Sequence, residues 1–125
     1  MSPKRRFNKN ADALANAAID VGDFETWHEQ SIARLLHAVR TRADAAITAR
    51  FDGAHRAKDG SASCGAQIEL ACFSPVQETE RCTLVEAGAK VNASDSFAAE
   101  SFGLGAVLAL LERLLTQALI SVIDK

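Results

Sequence analysis

The apolar positions of this chain fall into two long stripes with a less regular stretch between them. The clearer stripe is carboxy-terminal. Leu104, Leu108, Leu111, Leu115, Ala118 and Val122 alternate by four and three residues, as in a coiled-coil seam. A second row, Val107, Leu110, Leu114 and Ile120 or Ser121, runs beside it. This spacing predicts one helix over 95–123, capped by Ser94 or Asn92, with Asp95 and Glu100 near its positive end. Such a helix is apolar around well over half of its circumference and needs cover on more than one side. The other stripe joins Phe24, Trp27, Ser31, Ile32, Leu35, Leu36, Val39, Ala43, Ala46 and Ile47. It predicts a helix over 23–51, roughly 42 Å long at 1.5 Å per residue, capped by Asp23 or by a Thr26–Glu29 box. A shorter helix, 10–21, carries Leu14, Ala17, Ala18 and Val21 on one face and closes at Gly22.

The middle of the chain reads differently. Residues 53–66, rich in Gly, Ser and Ala, predict a loop. In 67–73, Ile68, Leu70 and Cys72 alternate as in a strand, but the run is also short enough for a helical turn or two. Ser74-Pro75-Val76-Gln77 has the form of a helix start, which predicts a helix over 75–87 ended by Gly88. The rival arrangement pairs 67–73 with 80–86 as a β-hairpin.

Composition tips the choice toward helix. Of 125 residues 24 are Ala and none is Tyr, and Ala loses no side-chain entropy in a helix. The expected fold is therefore all-α, a bundle-like domain of four or five helices, two of them long. The alternative is α+β with a small hairpin at 67–73/80–86. Residues 1–9, with Lys4, Arg5, Arg6 and Lys9, are expected to form a flexible basic arm before a single domain over 10–125. A globule of this size has a diameter of roughly 36 Å, whereas a straight helix over 95–123 spans roughly 44 Å. The helix must then protrude, kink at Gly103 and Gly105, or pack on a second subunit. Self-association through Leu104, Leu108, Leu111, Leu115 and Val122 is the expectation, giving a homo-oligomer.

Formal net charge is −2, which disfavours a dedicated nucleic-acid binder. Ten Lys or Arg stand against seven Asp or Glu in residues 1–58, and four against nine in 59–125, so the halves can attract each other. Cys64, Cys72 and Cys82 are odd in number and follow no leader-like segment, so a reducing cytoplasmic setting is expected. Glu112 and Arg113 interrupt the apolar run from Phe102 to Ile123 and argue against a membrane span.

Candidate chemistry is sparse. The C-x7-C-x9-C spacing lacks the close ligand pairs of structural zinc, so no metal or cofactor is expected and the thiols are read as small hydrophobes. His28, inside the second stripe, is a candidate ligand contact or acid–base group, and Ile32 at i+4 gives it no orienting carboxylate. His37 and His55 are read as solvated. Arg42 and Arg50, two turns apart on the predicted helix, form the best place for an anion, or else pair with Glu78, Glu80 or Glu86. No phosphate-loop, dinucleotide or hydrolase motif occurs. The expectation is a non-enzymatic interaction protein that binds, adapts or inhibits a macromolecule. The alternatives are a binder of an anionic, nucleotide-like small molecule using Arg42, Arg50 and His28, and a small enzyme using His28.

Overall fold

A computed structural model describes residues 9–41, 44–73 and 78–123. It overturns the all-α expectation. The chain forms three helices and one four-stranded antiparallel sheet: α1 (Lys9–Val21), β1 (Phe24–Trp27), α2 (Ser31–Arg40), β2 (Asp44–Arg56), β3 (Ser61–Phe73), β4 (Glu78–Lys90) and α3 (Ser96–Ile123). The strand order is β1-β4-β3-β2.

The two outer helices lie where the periodicity places them. α1 closes at Gly22, whose φ of 91° suits glycine and whose N–H donates to the Ala18 carbonyl. α3 is capped by Asp95, whose Oδ1 accepts from the Ala98 N–H at 2.7 Å, rather than by Ser94 or Asn92. The supposed helix over 23–51 is three elements, a short strand, a ten-residue helix and the first half of a strand. The supposed loop over 53–66 is mostly strand as well. β2 and β3 meet in a turn over 57–60, where Gly60 takes φ 75° and Asp59 accepts from the Ser61 N–H. The supposed helix over 75–87 is β4, paired along β3, so the hairpin alternative holds and extends well beyond its predicted ends. The helix-start residues 74–77 lie outside the described residues, as does the arm over 1–8, whereas Lys9 opens α1.

The sheet has two unlike faces. On one, Ala66, Ile68 and Leu70 of β3 and Leu84 and Val85 of β4 meet Leu35 and Ala38 of α2 and Val107, Leu110, Leu114 and Ala118 of α3, forming the hydrophobic core. A bulge in β4 shifts the register between Ile68/Val85 and Glu69/Thr83, so that Leu84 and Val85 both enter this core. The opposite face carries Ser63, Gly65, Gln67 and Glu69 of β3, and α1 covers one end of it. There Gly65 pairs with Gly88, and a Cβ on Gly65 would overlap the backbone of Ala11 and Ala15. Helix α3 approaches β2 just as closely. Gly53 lies under Ala99 and Glu100, and Gly103 lies on the Asp52 carbonyl. Gly103 thus serves close approach rather than a kink, and the helix runs unbroken through Gly105.

Candidate functional site

Helix α2 and the ends of β3 and β4 enclose a groove of about 540 Å3. Its floor is Ala38, Leu70, Cys72 and Cys82, and its rim is Gln30, Ala33, Arg34, His37, Thr41 and Glu80. Strand register explains the floor. Leu70 pairs with Cys82 and Cys72 with Glu80, so both thiols point to the α2 side from adjacent strands. Helical spacing explains the rim, since Gln30, Ala33, Arg34, His37 and Thr41 recur at intervals of three and four residues along one side. The Arg34 Nη1 donates to Glu80 Oε1 at 3.0 Å. The guanidinium's remaining donors are not engaged by that single contact.

Gln30, at the mouth, holds φ 64° and makes no side-chain cap for α2. Non-glycine residues in this left-handed region are uncommon and cost of order 1–2 kcal/mol. Thr41 closes the other end of α2, its hydroxyl donating to the His37 carbonyl at 2.9 Å.

Arg50 and His28 are not brought together. Arg42 lies outside the described residues. Arg50 is on β2, not on a helix, and faces the opposite side of the sheet from the groove. It forms an ion pair with Glu69, in which both side chains are largely buried. Burial, and secondarily the neighbouring Arg81, pulls the Arg50 guanidinium below its ordinary range. Arg50 in this state has its anion already. The expected cation–anion pairing between the two halves of the chain is seen instead, with Glu69 and Glu80 as acceptors.

His28 follows β1 on the surface, its Nε2 3.4 Å from Glu86 Oε1. The orienting carboxylate missing from its own segment is supplied by β4. His55 is half-buried in β2 rather than in a loop, and His37 borders the groove. Gln67, buried on the polar face, donates from Nε2 to Thr83 Oγ1 at 3.4 Å.

Electrostatics elsewhere serve the scaffold. Arg113 grips Glu25 with two donors at 2.7 and 2.8 Å and stacks over Trp27 at 5.4 Å, while the Trp27 indole N–H donates to the same carboxylate. These hydrogen bonds, from Arg113 first and Trp27 second, hold the Glu25 carboxyl below its usual range. Arg113, one of the two charges inside the apolar carboxy-terminal run, thereby ties α3 to β1. Burial raises the Asp52 carboxyl, with the nearby Asp12 and Glu100 adding to the effect. Burial also raises the Cys64 thiol, which sits in the core. Among the described residues no three His, Cys, Asp or Glu side chains gather as a metal site.

The groove needs Cys72 and Cys82 on adjacent strands, which the hairpin alternative allows and a helix over 75–87 does not. The alternation of Ile68, Leu70 and Cys72, and the flanking of Cys82 by Arg81 and Thr83, carry that signal. Compared with family models, characterised proteins and solved structures, the chain matches none.

Proposed function

We propose that this chain is a small-molecule-binding protein that holds an amphipathic anion in the α2 groove. The observation that carries this reading is the groove itself. Its size lies within the range of about 300–1,000 Å3 usual for ligand pockets, and it joins an apolar floor to a few polar groups on one rim. An apolar or aromatic body would lie over Ala38, Leu70 and the thiols, and a carboxylate or phosphate would reach Arg34, His37 and the Gln30 amide. This keeps the anion-binding alternative but moves it away from Arg42, Arg50 and His28. The strained Gln30 backbone at the mouth adds support, since such strain tends to persist where a binding surface requires it.

The probe is anilinonaphthalene sulfonate, an aromatic anion whose fluorescence rises on binding. Saturable binding at one dye per chain is expected, together with displacement or a raised melting temperature from at least one member of a panel of mononucleotides and fatty acids. Ala33→Trp, which fills the mouth, should abolish dye binding, and Arg34→Gln should weaken it about tenfold. Dye binding that survives Ala33→Trp, or a flat response across the panel, overturns the proposal. Dye shielding of Cys72 and Cys82 from alkylation provides an independent location for it.

The interaction-protein reading draws on a different surface, the outer side of α3. The enzyme reading draws on His28 and Glu86, which supply a base and its orienting group.

A further inference from the structure

Helix α3 buries only one stripe. Ala99, Gly103, Val107, Leu110, Leu114 and Ala118 face the sheet, while Leu104, Leu108, Leu115, Leu119 and Val122 remain 44–59% exposed. By length and composition α3 could cross a membrane, yet its inner stripe is the centre of the core. The direction in which the exposed row points follows from Arg113. That residue flanks the buried stripe on one side and leans to Glu25 at the β1 edge of the sheet. The leucine row flanks the stripe on the other side, so it leans toward β2. Strand β2 is the other edge of the sheet, thirteen residues long, and among the described residues no strand pairs with its outer side. Ala45, Ile47 and Ala49 share the α3 face of that edge and are exposed.

We infer that the occupant of this surface is a second copy of the chain. β2 would pair antiparallel with its counterpart across a two-fold axis at Ile47, extending the sheet from four strands to eight. The two α3 helices would pack through the leucine row on the same side.

Three observations fix the partner as a copy of itself. The first is spacing. α3 packs on both β2 and β3, and at Gly53 it stands on the edge strand itself. Joining two edges at a strand spacing of about 4.8 Å would therefore bring the two leucine rows side by side. The second is alignment. Gly103 stands on Asp52, and Gly53 lies under Ala99 and Glu100, so α3 runs antiparallel to β2. From Asp52 to Ile47 is about 16 Å along the strand, which about eleven helical residues cover. Residues near Leu114 are therefore level with Ile47, and the row from Leu104 to Val122 is centred there too. One axis thus serves both the strand pair and the helix pair, as an isologous interface requires. The third is the make-up of the edge. Antiparallel pairing about Ile47 sets Ala45 opposite Ala49 of the second copy on the apolar face, small exposed residues that let the two edges meet.

The exposed apolar area of the row and of Ile47 is on the order of 500 Å2, near the upper limit for a monomer's largest patch. With the strand edge added it approaches the roughly 800 Å2 per partner of a standard interface. A thirteen-residue edge without Pro is moreover the kind that proteins cover.

Sedimentation equilibrium with light scattering tests this. The wild type should run at twice 13.3 kDa at 10 µM. Leu108→Glu, a surface change that leaves the core intact, should shift the protein to monomer with an unchanged circular-dichroism spectrum. Ile47→Pro should raise the dimer dissociation constant at least tenfold, because it removes an edge N–H. Ile47→Cys should yield, on mild oxidation, a disulfide joining two copies through the introduced thiol. A wild-type monomer at 10 µM overturns the inference. So does a dimer unaffected by Leu108→Glu, or one in which the thiol at position 47 never cross-links. Flotation of the wild-type monomer with phosphatidylcholine–phosphatidylserine vesicles would assign the row to a membrane instead and would equally overturn it. Dye binding at the α2 groove is independent of each of these outcomes.

Discussion

The two faces of the sheet are built on opposite principles. Under α1 the strands present glycine and serine, and contact is made backbone to backbone. Gly65 and Gly88 admit the helix, and the Ser63 hydroxyl donates to the Ala15 carbonyl. Farther along that face the space is filled by the Arg50–Glu69 pair and Gln67. Under α2 and α3 the strands present Ile68, Leu70, Leu84 and Val85, and contact is made by large aliphatic side chains. The first face uses closeness and fixed polar geometry. The second uses volume, and α3 brings more apolar volume than the sheet can cover. α1 thus leaves little apolar surface beyond Val21, while α3 has a surplus, and this difference is the basis of the proposed self-association.

The largest expected effect comes from the close contact. Gly65→Val should destabilise by more than about 4 kcal/mol, because no rotamer clears the Ala11 carbonyl or the Ala15 amide, and chemical denaturation would show loss of the cooperative transition. Next is the polar half of the same face. Glu69→Gln leaves Arg50 without its carboxylate in a largely buried position and should cost about 3 kcal/mol, read as a shift of the urea midpoint. On the aliphatic face Leu114→Ala should cost about 3 kcal/mol, whereas Leu115→Ala, one position on, should cost under about 1 kcal/mol in the Leu108→Glu monomer. A similar cost for both would mean that α3 is covered all round.

Smaller effects sharpen the picture. Glu25→Gln should cost about 1 kcal/mol at neutral pH, since its partner Arg113 is more than half exposed and solvent weakens the pair. The sign with pH is fixed by the depressed carboxyl. Its contribution is present above the ordinary value of 4.5 and is lost as pH falls through the lower native value, so wild type and variant should converge in acid. Asp52 acts oppositely. Its raised carboxyl favours the native state below the ordinary value of 3.8, and that advantage disappears as pH rises through the higher native value. Gln30→Gly should gain up to about 1 kcal/mol by relieving the left-handed backbone while weakening dye binding.

Both outer helices were legible because their apolar spacing continues without a break for three turns or more. The sheet was not, for identifiable reasons. In β2, Ala45 and Ala46 are both apolar, so the segment Ala43, Ala46, Ile47 satisfies a helical period as readily as Ala45, Ile47, Ala49 satisfies a strand period. Alanine contributes to either pattern and discriminates neither. In β4 the alternation of Cys82 and Leu84 changes phase at Val85, because the bulge turns two consecutive residues inward. A period of two cannot be read across such a slip. The Arg50–Glu69 pair was hidden for a third reason, since its partners are nineteen residues apart and meet only through the β2–β3 register.

The central place of α3 in the core also bears on how the chain matures. β2, β3 and β4 are joined by short connections and can zip together early, but their aliphatic side stays bare until Val107, Leu110 and Leu114 arrive. During synthesis that cover is delivered last, after every strand has left the ribosome. The nascent sheet therefore spends its first moments as an unfinished, adhesive intermediate, and its yield in a cell should depend on chaperone supply and growth temperature.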